Sequence, residues 1–146
     1  MPTPPETQLP KERDIAYFVH LHLDTIELAS EPSYREGHCI YRVEGKPRPM
    51  LVLTVLPDQR GCRWFRVLPI TSKGKDANGQ LKRGCVPIGK LPDHDCVSYI
   101  TVDDSRKLPA NMVDRANRRS PTVLSIDRLA FDNILTTVAR LAMSAK

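Results

Sequence analysis

The 146-residue sequence lacks the features that mark several classes of protein. It has no uninterrupted apolar run long enough to span a bilayer. Prolines and acids occupy its start, where a secretory signal needs a basic and then an apolar stretch. Its four cysteines, at positions 39, 62, 85 and 96, show neither a C-x-x-C pair nor zinc-ligand spacing. These absences predict a cytoplasmic protein that is not embedded in a membrane, with its cysteines buried as small hydrophobes.

Histidines add no clear metal site. His20 and His22 have no third ligand nearby, and a site that combines the cysteines with His38 or His94 is the less favoured alternative. We therefore predict no metal and no cofactor. The 22 lysines and arginines against 17 acids give a formal charge of +5, a mild excess that permits a nucleic-acid partner without proving one.

The N-terminal thirty residues differ from the rest. Residues 1–10 hold four prolines and predict a disordered tail. Across 11–30, apolar residues at helical spacing favour a helix, although 19–23 also alternates as a strand would. We interpret 1–30 as a tail with a helical extension and 31–146 as the folded domain. The residues on the predicted helical face are Ile15, Phe18, Val19, His22, Leu23 and Ile26.

Short strands follow one another from residue 39 onward. They are predicted at 39–43, 50–56, 63–70, 85–88, 97–102 and 122–126, with a Gly- and Pro-rich turn at 44–49 and a mobile loop at 73–83. The apolar run at 50–56 predicts a strand buried on both faces. Several short strands at close spacing indicate a small β-barrel. Residues 108–119 are compatible with a helix.

The chain ends in an amphipathic helix. Asp127 is its predicted N-cap, and its apolar stripe must pack against the barrel or a second subunit. The stripe consists of Leu129, Ala130, Ile134, Val138, Leu141 and Ala142.

Thr71, Ser72 and Lys73 follow the apolar strand at 63–70. Two hydroxyls and a lysine at the mouth of a buried strand suit an anion or phosphate, while an ordinary turn is the alternative.

Three segments in order carry a resemblance to a known family. They are Gly-His-Cys-Ile-Tyr at 37–41, Arg-Pro-Met-Leu-Val-Leu at 48–53 and Leu-Pro-Ile-Thr-Ser-Lys at 68–73. Together they resemble the MazF/PemK/Kid family of toxin endoribonucleases over about residues 36–143. The resemblance implies an SH3-like, partly open barrel with peripheral helices. This is the plasmid-maintenance toxin fold, which also hosts the gyrase-directed CcdB-like toxins.

The resemblance also implies an activity and partners. Family members cleave single-stranded RNA without a metal, leaving a 2′,3′-cyclic phosphate and a free 5′-OH. Arg48 matches the family's catalytic arginine and Thr71 its catalytic threonine. Glu44 and Asp103 lie where some members carry a catalytic acid. Implied partners are RNA, an acidic antitoxin and a second copy of the chain.

Other basic and polar residues are expected along the RNA path. They are Ser72, Lys73, Lys75, Lys82, Arg83 and Arg106. Two positions depart from the family pattern, because Thr101 replaces an arginine that some members carry and Asp104 replaces the usual glutamine. These departures favour the alternative, a non-catalytic SH3-like module that binds nucleic acid or protein.

Overall fold

The computed structural model describes residues 9–28, 41–92, 94–113 and 122–144. It contains seven strands, a short 3-10 turn at Ala110–Met112 and one C-terminal helix. The predicted tail at 1–8, the predicted strand start at 39–40 and positions 114–119 of the second predicted helix lie outside the described residues. The elements are β1 (Asp14–Leu28), β2 (Tyr41–Gln59), β3 (Cys62–Thr71), β4 (Cys85–Lys90), β5 (Val97–Thr101), β6 (Arg106–Pro109), β7 (Thr122–Ser125) and α1 (Arg128–Ser144).

The strands form one antiparallel sheet in the order β4-β5-β3-β2-β1-β7, with β6 also paired to β3. Within the described residues the sheet does not close, since β4 and β7 are its two edges. β2 and β3 are joined by a two-residue turn in which Arg60 and Gly61 both have positive φ, as the tight turn of a twisted hairpin requires. The protein is therefore mainly β with a C-terminal helix.

The helix predicted over 11–30 is wrong, because β1 runs from Asp14 to Leu28 between β2 and β7. Ile15, Ala16 and Phe18 are all fully buried, on alternating faces of the strand. A strand that is buried on both faces carries apolar residues at neighbouring positions, so it lacks the alternation of apolar and polar residues that marks a strand. Its apolar residues can then fall at helical spacing.

The turn predicted at 44–49 is also wrong. These residues continue β2 and pair with 17–22 of β1, so that Glu44 lies opposite His22 and Arg48 opposite Phe18. Gly and Pro favour turns locally, but a long partner strand overrides that preference here.

The sheet buries a core on each face. The helix-side core lies between the sheet and α1, and the second core lies on the opposite face beneath the 3-10 turn. Strand β2 contributes Leu51 to the first and Met50 to the second, which confirms the prediction that this strand is buried on both faces. Other members of the second core are Ala16, Phe18, Val52, Phe65, Val67, Ala110 and Val113.

The C-terminal helix begins as predicted. Asp127 Oδ1 accepts a hydrogen bond of 2.8 Å from the Ala130 amide, which is an N-cap contact. Ile134 is buried as expected, and Val138 and Leu141 pack against the helix-side core. Leu129 was expected in the stripe but is 73% exposed, and Phe131 is buried instead.

The cysteines differ in their surroundings. Cys85 is buried as predicted, Cys62 is half-buried, and the prediction is wrong for Cys96, which is exposed. None of the helices in the described residues is long and apolar enough to cross a membrane.

The place of β1 in the sheet gives a first prediction. Phe18 is fully buried and packs edge-to-face on Phe65, with ring centroids 5.8 Å apart. Phe18→Ala should lower the free energy of unfolding by about 3–5 kcal/mol, measured by urea denaturation. Leu129→Ala, an exposed control on α1, should change it by no more than about 0.5 kcal/mol. Equal losses in the two variants would contradict the central position of β1.

Candidate functional site

Arg48 lies on an exposed part of β2, at the margin of the second core. Met50, two residues farther along β2, is fully buried in that core and lies on the same face of the strand as Arg48. None of the described residues forms a hydrogen bond or ion pair with the Arg48 guanidinium. The guanidinium therefore presents its donors to solvent from a regular strand, a more rigid support than the predicted turn.

Thr71 is the last residue of β3 and is half-buried. It pairs with Tyr99 of β5, and its Oγ1 accepts a hydrogen bond of 3.1 Å from the Lys73 amide. This contact closes a tight turn immediately after the strand. Because Oγ1 acts as an acceptor there, the hydroxyl hydrogen can be donated to an anion.

Arg48 and Thr71 lie on neighbouring strands at the same end of the β2–β3 ladder. The ladder pairs Val52 with Val67, and its last pair is Met50 with Pro69, so Arg48 and Thr71 each lie two residues beyond it. By strand alternation, Arg48 shares a side with Met50 and Thr71 with Pro69. A guanidinium fork and a hydroxyl are donor types that bind a phosphate oxygen.

The predicted mobile loop is a hydrogen-bonded hairpin. Lys75 and Leu81 form a β-bridge, and the Asp76 amide donates to the Gln80 carbonyl at 2.8 Å. Asp76 Oδ1 also accepts from the amides of Asn78 and Gln80 at 2.9 and 3.0 Å. We call residues 72–84 the basic hairpin, because its exposed side chains include Ser72, Lys73, Lys75, Lys82 and Arg83.

Gly74 fixes the basic hairpin to the sheet. It is buried, and a Cβ at this position would lie 2.1 Å from Cγ of Tyr99, so only glycine fits beneath the ring. Tyr99 itself is 6% exposed and pairs with Thr71. The hairpin is thus anchored beside Thr71, the last residue of β3.

Asp103 lies at a different place from Thr71. Its carboxylate covers Gly84, where an added Cβ would come within 2.5–2.7 Å of its Cγ and oxygens. The Val102 amide donates to the Gly84 carbonyl at 2.7 Å, which holds Asp103 at the start of β4. Strand β5 separates β4 from β3, so the structure brings Asp103 together with Cys85 rather than with Thr71.

The two departures from the family pattern have structural roles. Thr101 Oγ1 donates a hydrogen bond of 2.7 Å to the Pro69 carbonyl and so ties β5 to β3. Asp104 binds Arg106 through both carboxylate oxygens, at 3.2 and 2.9 Å. Asp104 offsets the charge of Arg106, so this arginine presents less free charge to RNA than the basic hairpin does.

Lys46 shares the side of β2 that carries Arg48. Glu44 stands four residues from Arg48, about 13 Å along a strand, and its side chain lies outside the described residues. Lys46 stands two residues from Arg48 and is exposed. Lys46 is not among the predicted site residues, because 44–49 was predicted to be a turn. In a strand, the spacing of two residues alone would have placed it beside Arg48.

A cavity of about 490 Å³ lies elsewhere, between the edge strand β4 and α1. Its lining is largely apolar and contains none of the predicted site residues; it includes Val86, Ile88, Ile126, Ala130 and Ile134. In the described part of the chain, no group of three or more His, Cys, Asp or Glu side chains is arranged to hold a metal ion.

Comparisons with protein-family models, with curated proteins and with solved structures found no match to this chain.

The position of Asp103 gives a prediction about Cys85. Burial raises the pKa of the Cys85 thiol, the Asp103 carboxylate raises this pKa further, and Lys82 opposes both effects. Asp103→Asn should therefore lower the pKa of Cys85, measured as the pH midpoint of its ¹³Cβ chemical shift. The neighbouring variant Asp104→Asn should leave that midpoint unchanged, because Asp104 binds Arg106. An unchanged midpoint in Asp103→Asn would remove Asp103 from the surroundings of Cys85.

Proposed function

We propose that this protein is an endoribonuclease that cleaves single-stranded RNA without a metal, as the MazF/PemK/Kid toxins that it resembles do. The observation that carries the proposal is that Arg48 on β2 and Thr71 on β3 each lie two residues beyond Met50–Pro69, the last pair of the ladder that joins these strands. These residues are 23 positions apart in sequence, and the resemblance names both as catalytic. The exposed cations of the basic hairpin, anchored beside Thr71, support an RNA path that reaches the same place.

The proposed reaction is an attack by the RNA's own 2′-oxygen on the adjacent phosphorus. The bond from phosphorus to the 2′-oxygen forms, and the bond to the 5′-oxygen breaks. The proton lost from the 2′-OH is balanced by one that reaches the leaving 5′-oxygen. Negative charge develops on the non-bridging oxygens, where the Arg48 guanidinium and the Thr71 hydroxyl would donate hydrogen bonds.

This reaction needs a base and an acid in addition to Arg48 and Thr71. Glu44 lies in β2, four residues before Arg48 and close to where some family members carry a catalytic glutamate, and we assign it the role of general base. Asp103 is the other acidic candidate, but it lies beside Gly84 and Cys85. That position favours the second candidate function, a module that binds RNA through the same cations and does not cleave it.

The fold supports the same family. Three features are compatible with an SH3-like, partly open barrel. The antiparallel sheet is open, β5 and β6 pair with the same edge of β3, and a C-terminal helix lies on one face. We propose that the sheet is the barrel of the plasmid-maintenance toxins.

The proposal implies two protein partners and places the protein in the cytoplasm. We expect a homodimer, because two copies related by a two-fold axis would join two basic faces into one RNA groove. We expect an inhibitor with an acidic, disordered segment that folds onto the basic hairpin. Sedimentation should report twice the monomer mass, and purification from the host should recover a small acidic protein. A monomer at high micromolar concentration, with no such protein recovered, would contradict both.

The catalytic prediction concerns Arg48 and Thr71. Arg48→Ala should reduce cleavage by a factor on the order of 10² to 10³, the usual cost of losing one preorganised donor to transition-state charge. Arg48→Lys should restore little, since an ammonium cannot reproduce the fork. Thr71→Val keeps the side-chain shape and removes the hydroxyl, so it should also impair cleavage. The assay is digestion of a fluorescent single-stranded RNA library in EDTA, with the product ends mapped for 2′,3′-cyclic phosphate.

Arg140→Ala is the matched control, because Arg140 is an exposed arginine on α1, far along the chain from both strands. It should cleave like the wild type. Equal cleavage by wild type and Arg48→Ala would indicate a contaminating nuclease, and cleavage that stops in EDTA would overturn the metal-independent mechanism. An intact library with retained RNA binding would support the non-catalytic module.

A further inference from the structure

The cavity between β4 and α1 is lined by both strands that form the edges of the sheet in the described residues. Residues 86–88 of β4 form one side, and Ser125, the last residue of β7, lies at one end. The sheet is therefore curved enough for its two edges to reach the same space. One face of α1 forms the remaining wall, because its lining residues follow helical spacing. They are Ala130, Asn133, Ile134 and Thr137.

The interior of this cavity is apolar and has the size of a small-molecule site. Ile134 is 2% exposed, and Val86, Ile88 and Ile126 are half-buried and pack against the helix-side core. The floor of the cavity is thus a continuation of that core. The cavity volume of about 490 Å³ lies within the range of about 300–1,000 Å³ that small-molecule sites occupy. A ligand that fits here needs an apolar body.

The polar lining residues offer mainly hydrogen-bond acceptors. Ser125 Oγ donates its hydrogen to Asp14 Oδ1, and Thr137 Oγ1 donates its hydrogen to the Asn133 carbonyl at 2.9 Å. Each hydroxyl has thereby used its one hydrogen and keeps lone pairs that can accept. Asp127 is exposed, and its ionised carboxylate can only accept. The side-chain amide of Asn133 is the exception, since it can also donate. The complementary ligand is therefore a hydrogen-bond donor.

The charge beside the cavity is negative. Among the described residues that line it, Asp127 is the one that carries a charge. Its neighbour Arg128 forms ion pairs with Glu12 at 3.3 Å and with Asp132 at 3.6 Å, which offset the arginine charge. A carboxylate ligand would be repelled by Asp127 and would leave the acceptors without donors, whereas an ammonium group would be attracted and would supply three donors.

We propose that this cavity is a binding site for a small amphipathic amine, with the apolar body against Ile126 and Ile134 and the ammonium group on Asp127. The inference goes beyond the proposed nuclease and does not rest on it, because none of the residues assigned to RNA lines the cavity. A ligand that contacts β4 and α1 together holds the helix against the edge of the sheet. Binding should therefore also raise the melting temperature.

The test titrates the full-length chain, labelled at isoleucine methyl groups, with three probes that share one apolar body. The probes are phenylpropylamine, phenylpropanol and phenylbutyrate, which carry an ammonium, a hydroxyl and a carboxylate. The NMR signals of Ile126 and Ile134 should shift on binding. Ile100, which lies in the same core but outside the cavity lining, should shift less. Affinity should fall in the order amine, alcohol, carboxylate.

Substitutions then separate charge from shape. Asp127→Asn preserves the helix cap, since asparagine caps a helix as well as aspartate does. It should weaken amine binding by about two- to fivefold, as for an exposed ion pair, and leave alcohol binding unchanged. Asp132→Asn, on the opposite side of α1, should change neither affinity. Ala130→Leu should fill the cavity and weaken the binding of all three probes.

Several results would overturn the inference. They are equal affinity for the amine and the carboxylate, equal loss of amine binding in Asp127→Asn and Asp132→Asn, and shifts spread over the core without preference for Ile126 and Ile134. Shifts of these two methyl groups that follow protein concentration without any probe would show that a second copy covers the cavity, and would also overturn it. If Ala130→Leu fails to fold, the aspartate variants and the methyl shifts still decide the question. RNA cleavage is measured separately, so failure of this site leaves the proposed nuclease standing.

Discussion

Strand β3 pairs with β2 along one edge and with two different strands along the other. β6 covers Trp64 to Val67, and β5 takes over at Ile70 and Thr71. The β2–β3 ladder ends at Met50 and Pro69, so the last two residues of β3 pair with β5 alone. Thr71 therefore ends β3 two residues beyond its last pair with β2, and Arg48 lies two residues beyond the same pair on β2.

Patterns within one segment of the sequence predict those strands and helices whose formation depends on that segment alone. The apolar run at 50–56 predicts a strand buried on both faces, and Asp127 followed by apolar residues at helical spacing predicts α1. The same signals fail for β1, because burial on both faces removes the alternation that marks a strand. They fail again at 44–49, where pairing with β1 outweighs the turn preference of Gly and Pro. Both failures concern partners that are distant in sequence.

The candidate site could be predicted residue by residue but not as an arrangement. The resemblance named Arg48, Thr71 and Asp103 together. In the structure, Arg48 and Thr71 lie at the same end of the β2–β3 ladder, whereas Asp103 lies beside Gly84 and Cys85. Register depends on which residues face each core, and no single segment of the sequence contains that information. The basic hairpin illustrates the same limit, since its order depends on Asp76 and on the fit of Gly74 beneath Tyr99.

The distribution of charge favours a long anion over a small one. Ion pairs in the described residues neutralise cations elsewhere, as in Asp58–Arg63, Asp104–Arg106 and Glu12–Arg128. In these same residues, the cations of the basic hairpin and Arg48 take part in no ion pair. The cations of the basic hairpin are spread over residues 73–83, so a polynucleotide strand can contact several of them at once, whereas a small anion contacts one or two.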